Sequence, residues 1–431
     1  MTGHKLYHVL KSTIKIQFLI LLLSASWIAR AQDDHDITIS LRSVDTGSKK
    51  EKTYFAKEKD IIDVGLEIVK KTSLRKVDTT AKIKGKLYYE ILPGAGYGLN
   101  TGLAAVVNTN FAFYSSTKPN ANISSIETSV NYTQLHQFIF PVLSDIWLGD
   151  NNKYNIQGNW LYADFPQATY GLGGHTSLNN PFTLDYSNIR LQTSLYRAVA
   201  QDLLIGLGYT YEYFWNVGES DVPAGAYPTD LDKYGYTKTT TASAITLNFL
   251  YDTRRNSINP EGGGNFANVI YRPNFTFLGS DGNWQSLVID LRKYIKLPGK
   301  SKNILAFWAY EWFTFGADKA PYVLLPNTGG DPYDNTGRGY SPGRFRGQDM
   351  LYFEGEYRYQ ITHNGLLSGV IFCNIESFPE THTNNYDVIY PGYGAGIRIK
   401  FNKYSRTNIA IDYGFGIDGS RGFFINLGEV F

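Results

Sequence analysis

The sequence predicts an all-β transmembrane protein, a barrel of about sixteen antiparallel strands, and three observations carry that prediction. From about Lys84 to Phe431, stretches of roughly ten residues alternate apolar and polar side chains. The composition holds 33 Tyr, 25 Phe and 42 Gly while mean hydropathy stays at -0.26. The chain also opens on an export-type segment. Strands with lipid on one face and water on the other keep average hydropathy low, and their aromatics collect at the two membrane interfaces. A secreted β-sandwich or propeller shares the composition but not such long alternation.

At the start, Lys5, Lys11 and Lys15 precede the apolar run Phe18 to Ile28, which ends at Ala29-Arg30-Ala31. Residues 1–31 therefore read as a secretory signal peptide cleaved after Ala31. The run is shorter than the ~20 residues a helix needs to cross a bilayer, which argues against a retained anchor. Residues 32–83 read as a short, charged periplasmic segment with one amphipathic helix expected over 60–71. The barrel is expected over 84–431. Cys373 is the one cysteine, so no intrachain disulfide is expected. The net charge of +2 and the absence of a basic tract give no sign of nucleic-acid binding.

The clearest strand is 408–418, where Ile409, Ile411, Tyr413, Phe415 and Ile417 share one face and Ala410, Asp412, Gly414 and Gly416 the other. A period of two assigns one face to lipid and one to the lumen. The strand before it places Gly392, Gly394, Gly396, Arg398 and Lys400 inward together. Similar stretches are expected near 86–92, 101–114, 122–132, 134–147, 152–164, 182–198, 201–217, 241–253, 265–275, 283–296, 303–316, 350–361, 366–376, 390–403, 406–416 and 421–431. Short links, taken as periplasmic, punctuate long ones at 165–181, 218–240 and 317–349, taken as external. On the last strand Phe423, Ile425, Leu427 and Phe431 share one face. A terminal aromatic there resembles the insertion signal of outer-membrane proteins, although Glu429 stands where a hydrophobic residue is usual. The alternative is an aromatic packed at the barrel rim.

The longest loop ends in Gly343-Arg344-Phe345-Arg346-Gly347-Gln348, and the next strand turns Tyr352, Glu354, Glu356, Arg358 and Gln360 to one face. Counted back from Phe431, this loop joins strands eleven and twelve. On these residues the chain resembles the BamA/TamA superfamily, the bacterial surface antigen proteins, whose hydrophobic-Arg-Gly-aromatic loop tip folds into the lumen. Phe345, Arg346 and Gly347 fit that hallmark, and Gln348 stands at the aromatic position. The resemblance implies that Arg346 is tethered by carboxylates, which match its planar donor fork. Glu354 and Glu356 are the candidates. Asn374 stands where the family has an inward Asp, with Glu376 nearby as a second acceptor. A periplasmic turn with Asp252, Arg254, Pro260 and Gly263 resembles another family element, and Asp252 is expected to bond backbone amides or Arg254. Residues 240–431 carry most of the resemblance. Residues 32–80 are too few for the POTRA domains of about 75 residues that family members usually carry, so this reads as a barrel-only form.

An enzyme is not expected: the seven histidines are scattered, and no Gly-x-Ser-x-Gly elbow occurs. No metal site or cofactor is expected, and the acidic stretch 331–339 reads as a solvated loop because calcium-ligand spacing is absent. The resemblance implies insertion or translocation of proteins at the bacterial outer membrane. The alternative is a passive pore or structural surface barrel. Expected partners are outer-membrane lipid and lipopolysaccharide, with protein clients or periplasmic partner proteins, and no nucleic acid.

Overall fold

Alternation of period two needs a wall in which every strand finds two neighbours, and a computed structural model shows that wall. The structure describes residues 58–68, 87–98, 101–118, 121–149, 151–179, 181–254, 256–298, 302–380, 384–403 and 405–431. The expected signal peptide lies outside the described residues. In chain order the strands are β1 (Tyr88–Gly98), β2 (Gly102–Tyr114), β3 (Ile123–Thr133), β4 (Phe138–Leu148), β5 (Tyr154–Asp164), β6 (Gln167–Thr169), β7 (Phe182–Ala200), β8 (Leu203–Ser220) and β9 (Thr239–Asp252). They continue as β10 (Gly264–Asn274), β11 (Trp284–Lys296), β12 (Ile304–Gly316), β13 (Asp349–Gln360), β14 (Leu367–Ser377), β15 (Tyr390–Asn402), β16 (Thr407–Phe415) and β17 (Arg421–Leu427).

Each ladder is antiparallel and joins sequence neighbours, except that β5 and β6 both pair with β7. They are one wall strand broken at Pro166, so the described wall has sixteen positions, as the alternation predicts. β1 and β17 lie side by side, and among the described residues no register pair links them, so the barrel is nearly closed. β1 runs further than expected, pairing with β2 straight through Pro93 and Gly94. A Pro-Gly pair usually signals a turn. On a strand at the seam, though, the missing proline N–H breaks no second ladder.

The outward face is apolar around the wall. Leu207 is 61% exposed, Leu247 50%, Ile371 55% and Ile425 40%, among many like them. No water-facing monomer exposes a continuous apolar band of this kind, so the band marks the lipid-facing surface. No helix among the described residues is long and apolar enough to cross a membrane.

β7 and β8, at 19 and 18 residues, are nearly twice the about 9–11 residues that a tilted strand needs to cross a bilayer. Their upper halves stand beyond the membrane at the long-loop end. There Phe182, Leu184, Phe214 and Val217 pack with Leu231 of α2 (Asp230–Tyr234), Trp284 and Tyr322 in a second apolar core. The opposite end carries the shorter turns and α1 (Ile61–Ile68), the helix expected over 60–71, of which 69–71 lie outside the described residues. Asp60 caps it, accepting from Asp63 N at 2.8 Å, and takes a second bond from Lys403 N at 2.8 Å. Lys403 Nζ also meets Asp63 at 2.8 Å, and Lys302 Nζ meets Glu58 at 2.6 Å, so two turns of this end clamp the helix.

Replacing Leu207 by Lys on the outward face of β8 should destabilise the barrel in vesicles by about 2–4 kcal/mol, as for a cation near the bilayer midplane. Denaturant-dependent folding into lipid vesicles measures it; a change within a few tenths of a kcal/mol would show that this face does not meet lipid.

Candidate functional site

The lumen is a packed interior, because the loop 317–348 folds down into it and meets the inward faces of β13 to β16. Alternation on β13 turns Tyr352, Glu354, Glu356 and Arg358 inward, all 7% exposed or less. The stripe on β15 and β16 supplies Arg398, Lys400 and Asp412 between inward glycines. Those glycines make room for backbone. A Cβ on Gly414 would come within 2.8 Å of Gly339 N, and one on Gly392 within 2.6 Å of the Arg338 carbonyl.

Arg338 is the side chain this seat receives, at 1% exposure. Its Nη1 donates to Asp412 Oδ2 at 2.6 Å, and its Nη2 donates to both Glu354 and Glu356. The guanidinium stacks over Phe372, 3.7 Å from the ring centroid. Burial alone would lower the Arg338 pKa, but the three carboxylates hold it well above the usual arginine value. Arg398 continues the network, donating to Asp412 Oδ2 at 3.2 Å and Glu429 Oε2 at 2.8 Å. Arg358 donates to Glu356 Oε2 at 2.6 Å.

This corrects the tether expected from sequence. Glu354 and Glu356 hold Arg338, eight residues before Arg346. Arg346 lies higher, where its Nη1 donates to the carbonyls of Tyr322 at 3.2 Å and Leu325 at 3.4 Å, and its own carbonyl accepts from Gly173 N at 2.8 Å. Burial without a carboxylate beside it lowers its pKa. The difference is one of depth: Arg346 is too near the strand's start to reach the inward acids below, whereas Arg338 sits at the bottom of the loop. Phe345 stacks on Tyr390 with centroids 3.9 Å apart, and Gly347 N donates to Pro326 O at 3.1 Å. Phe345, Arg346 and Gly347 thus brace the loop's return against its own first half and the 165–181 loop. Asn374 donates to the Arg338 carbonyl at 2.9 Å, and Glu376 accepts from Thr328 Oγ1 at 3.1 Å, so neither meets Arg346.

Two further expectations change. The stretch 331–339 is not a solvated loop: Asp331 is 5% exposed and its Oδ1 accepts from Asn335 N at 2.8 Å and Thr336 N at 2.7 Å, folding the loop bottom on itself. Burial raises the Asp331 pKa against those bonds. Phe431 does not share a face with Phe423, Ile425 and Leu427. Those three point outward, at 50%, 40% and 59% exposure, but Phe431 is 3% exposed inside the lumen. Gly428, at φ 111°, turns the chain off the strand and breaks the alternation.

At the turn after β9, Asp252 accepts from Arg254 N and Nε, both at 2.9 Å, and Arg254 stacks on Phe266 at 4.2 Å. Gly263, at φ 80°, donates its N–H to the Pro260 carbonyl at 3.0 Å. Glu261 of the same turn is gripped by Lys400 Nζ at 2.9 Å. Burial would raise the Glu261 pKa, but Lys400 holds it below the usual carboxylate value.

No family model matches the sequence, and no curated protein matches it. Solved structures match the fold. BamA from Haemophilus ducreyi lacking POTRA domains 1-3 superposes with a TM-score of 0.52 at 14% identity, over 79% of this chain and 68% of that one. CdiB from Acinetobacter baumannii gives 0.52 at 12%, over 80% and 60%, and CdiB from Escherichia coli gives 0.51 at 10%, over 81% and 63%. The chain therefore spans less than two thirds of either CdiB. At these identities the likeness is one of fold: a sixteen-stranded barrel of the BamA and CdiB kind.

Arg338→Ala leaves the buried Glu354 without its cation and takes one partner each from Glu356 and Asp412, and should destabilise the packed loop by about 3–5 kcal/mol, whereas Arg346→Ala, which breaks two carbonyl contacts and the stacking on Tyr322, should cost about 1–3 kcal/mol. Thermal unfolding and protease cutting within 317–348 rank the two variants; equal effects would show that the carboxylate network does not anchor the loop. A separate acid titration checks the lower turn. Because the Glu261 pKa is depressed on folding, its pairing stabilises the barrel above a pH of about 4.3 and is lost as pH falls through the folded value. Glu261→Gln should therefore lower the melting temperature at pH 7 and match wild type at the acid end. A gap that persists unchanged in acid would show that Lys400 does not act through that charge.

Proposed function

We propose that this chain is a bacterial outer-membrane barrel that acts in the insertion or translocation of proteins, working at its wall rather than as an open conduit. The observation that carries the reading is the lumen filled by a loop whose Arg338 is bonded to Glu354, Glu356 and Asp412. A passive pore keeps a water path through its centre. Here an apolar core that includes Trp308, Tyr340, Phe345 and Phe378 occupies the interior beside that network. The likeness in fold to BamA and CdiB, and the resemblance of the sequence over 240–431, support the same reading. On it, the end with α1 and the shorter turns is periplasmic and the long-loop end faces outward.

A cell test separates this from the passive pore. With Arg338→Ala present at normal level and inserted, the steady-state amount of some outer-membrane proteins should fall, as read by quantitative proteomics of the membrane fraction. In planar bilayers the wild-type barrel should stay closed. Unchanged client levels together with a steady wild-type conductance would overturn the proposal and favour a pore.

A further inference from the structure

The three residues beyond Gly428 are held one by one by the lumen. Glu429 accepts from Arg398 Nε at 2.8 Å and from Asn408 Nδ2 at 2.6 Å. The Val430 carbonyl accepts from Asn335 Nδ2 at 2.7 Å, and the Phe431 carbonyl from Arg358 Nη2 at 2.9 Å. The Phe431 ring stacks on Trp308 with centroids 5.2 Å apart at 29°, lies 6.1 Å from Tyr294, and carries the Arg358 guanidinium 5.1 Å from its centroid. A lumen that merely tolerated this segment would not present a charge partner, donors to its backbone and an aromatic box in register with three consecutive residues.

Two features make this contact exchangeable. When Glu429 leaves, Arg398 keeps Asp412 and Arg358 keeps Glu356, so no buried guanidinium is stranded. A small cavity of about 40 Å³, lined by Glu58, Lys302, Arg358, Arg398, Lys400 and Glu429, borders the segment at the α1 end.

We propose that this cradle is a peptide-binding site. In the chain as it stands the site holds Glu429-Val430-Phe431, and in trans it takes an extended peptide with a carboxylate two residues before an aromatic. Arg398 and Asn408 read the carboxylate, Trp308, Tyr294 and Arg358 read the ring, and Asn335 reads backbone between them, leaving the middle position open to other apolar side chains. The inference rests on this geometry and not on the assembly reading, and purified protein tests it without any client.

The experiment uses the full chain folded in detergent micelles and a fluorescein-labelled hexapeptide, Asn-Leu-Gly-Glu-Val-Phe, with anisotropy as the readout. The tethered segment competes at an effective concentration in the millimolar range, so the variant Glu429→Ala/Phe431→Ala should bind the peptide about tenfold tighter than wild type, or better. Changing the peptide's Glu to Gln or its Phe to Ala should abolish that gain, as should adding Arg398→Ala to the receptor. Equal binding to wild type and variant, or binding indifferent to the peptide's Glu and Phe, overturns the proposal. Should the double variant fail to form a heat-modifiable barrel, Phe431→Ala alone serves as the receptor and the same outcomes decide.

Discussion

A guanidinium taken out of water must be met by carboxylates in the right plane, and burying Arg338 imposes that demand on four separate parts of the chain. The acids come from two turns of β13 alternation and from β16, so the registers of these strands are fixed relative to each other. The backbone carrying Arg338 must lie against the wall, so the positions facing it on β15 and β16 are Gly392 and Gly414. The loop must be long enough to reach mid-lumen and return, and 317–348 is the longest connection in the described wall. Removing one acid leaves the others to hold the charge, whereas removing the arginine leaves buried Glu354 with no cation partner among the described residues and takes one partner each from Glu356 and Asp412. The interaction is therefore asymmetric, and the arginine is the member the structure depends on.

Much of this was legible in the sequence, and the division follows range. Period-two alternation is local, so it gives the strand number and the inward placement of Glu354, Glu356 and Asp412 directly. The partner of those acids is set by how deep a loop descends, which is tertiary. A tripeptide at the loop's end therefore drew attention to Arg346, although Arg338 is the residue at the bottom. The signal that would have found it was present: Gly392, Gly394, Gly396 and Gly414 all face inward, and consecutive inward glycines mark a place where another backbone approaches closely. Phe431 misled for a similar reason. Alternation predicts one face straight through Gly428, where one residue with φ above zero ends it.

The length of β7 and β8 carries a separate consequence. Strands nearly twice as long as a crossing needs do not serve the wall alone, and their excess builds an apolar core with α2, Trp284 and Tyr322 above the membrane. That core gives Arg346 its surroundings, since Tyr322 both accepts from it and stacks beneath it at 5.1 Å. The loop is thus held twice, by carboxylates at its bottom and by aromatic packing and carbonyls at its top. The two grips differ in kind: charge pairing in a dehydrated lumen is directional, while the upper contact spreads over a broad apolar area that tolerates small shifts.

The two chain segments that enter the lumen are therefore unequal, and the inequality follows from what each leaves behind. Withdrawing the long loop leaves Glu354 without a cation, takes a partner from Glu356 and Asp412, and opens the space under the inward glycines, costs that add. Withdrawing Glu429 to Phe431 leaves every arginine of the network with an acid and uncovers one aromatic face on Trp308. An apolar ring of that size gives about 1.5–3 kcal/mol on burial, which another aromatic can supply equally well. A barrel built this way has a fixed interior with one exchangeable part, and that part lies at the α1 end, away from the apolar cap.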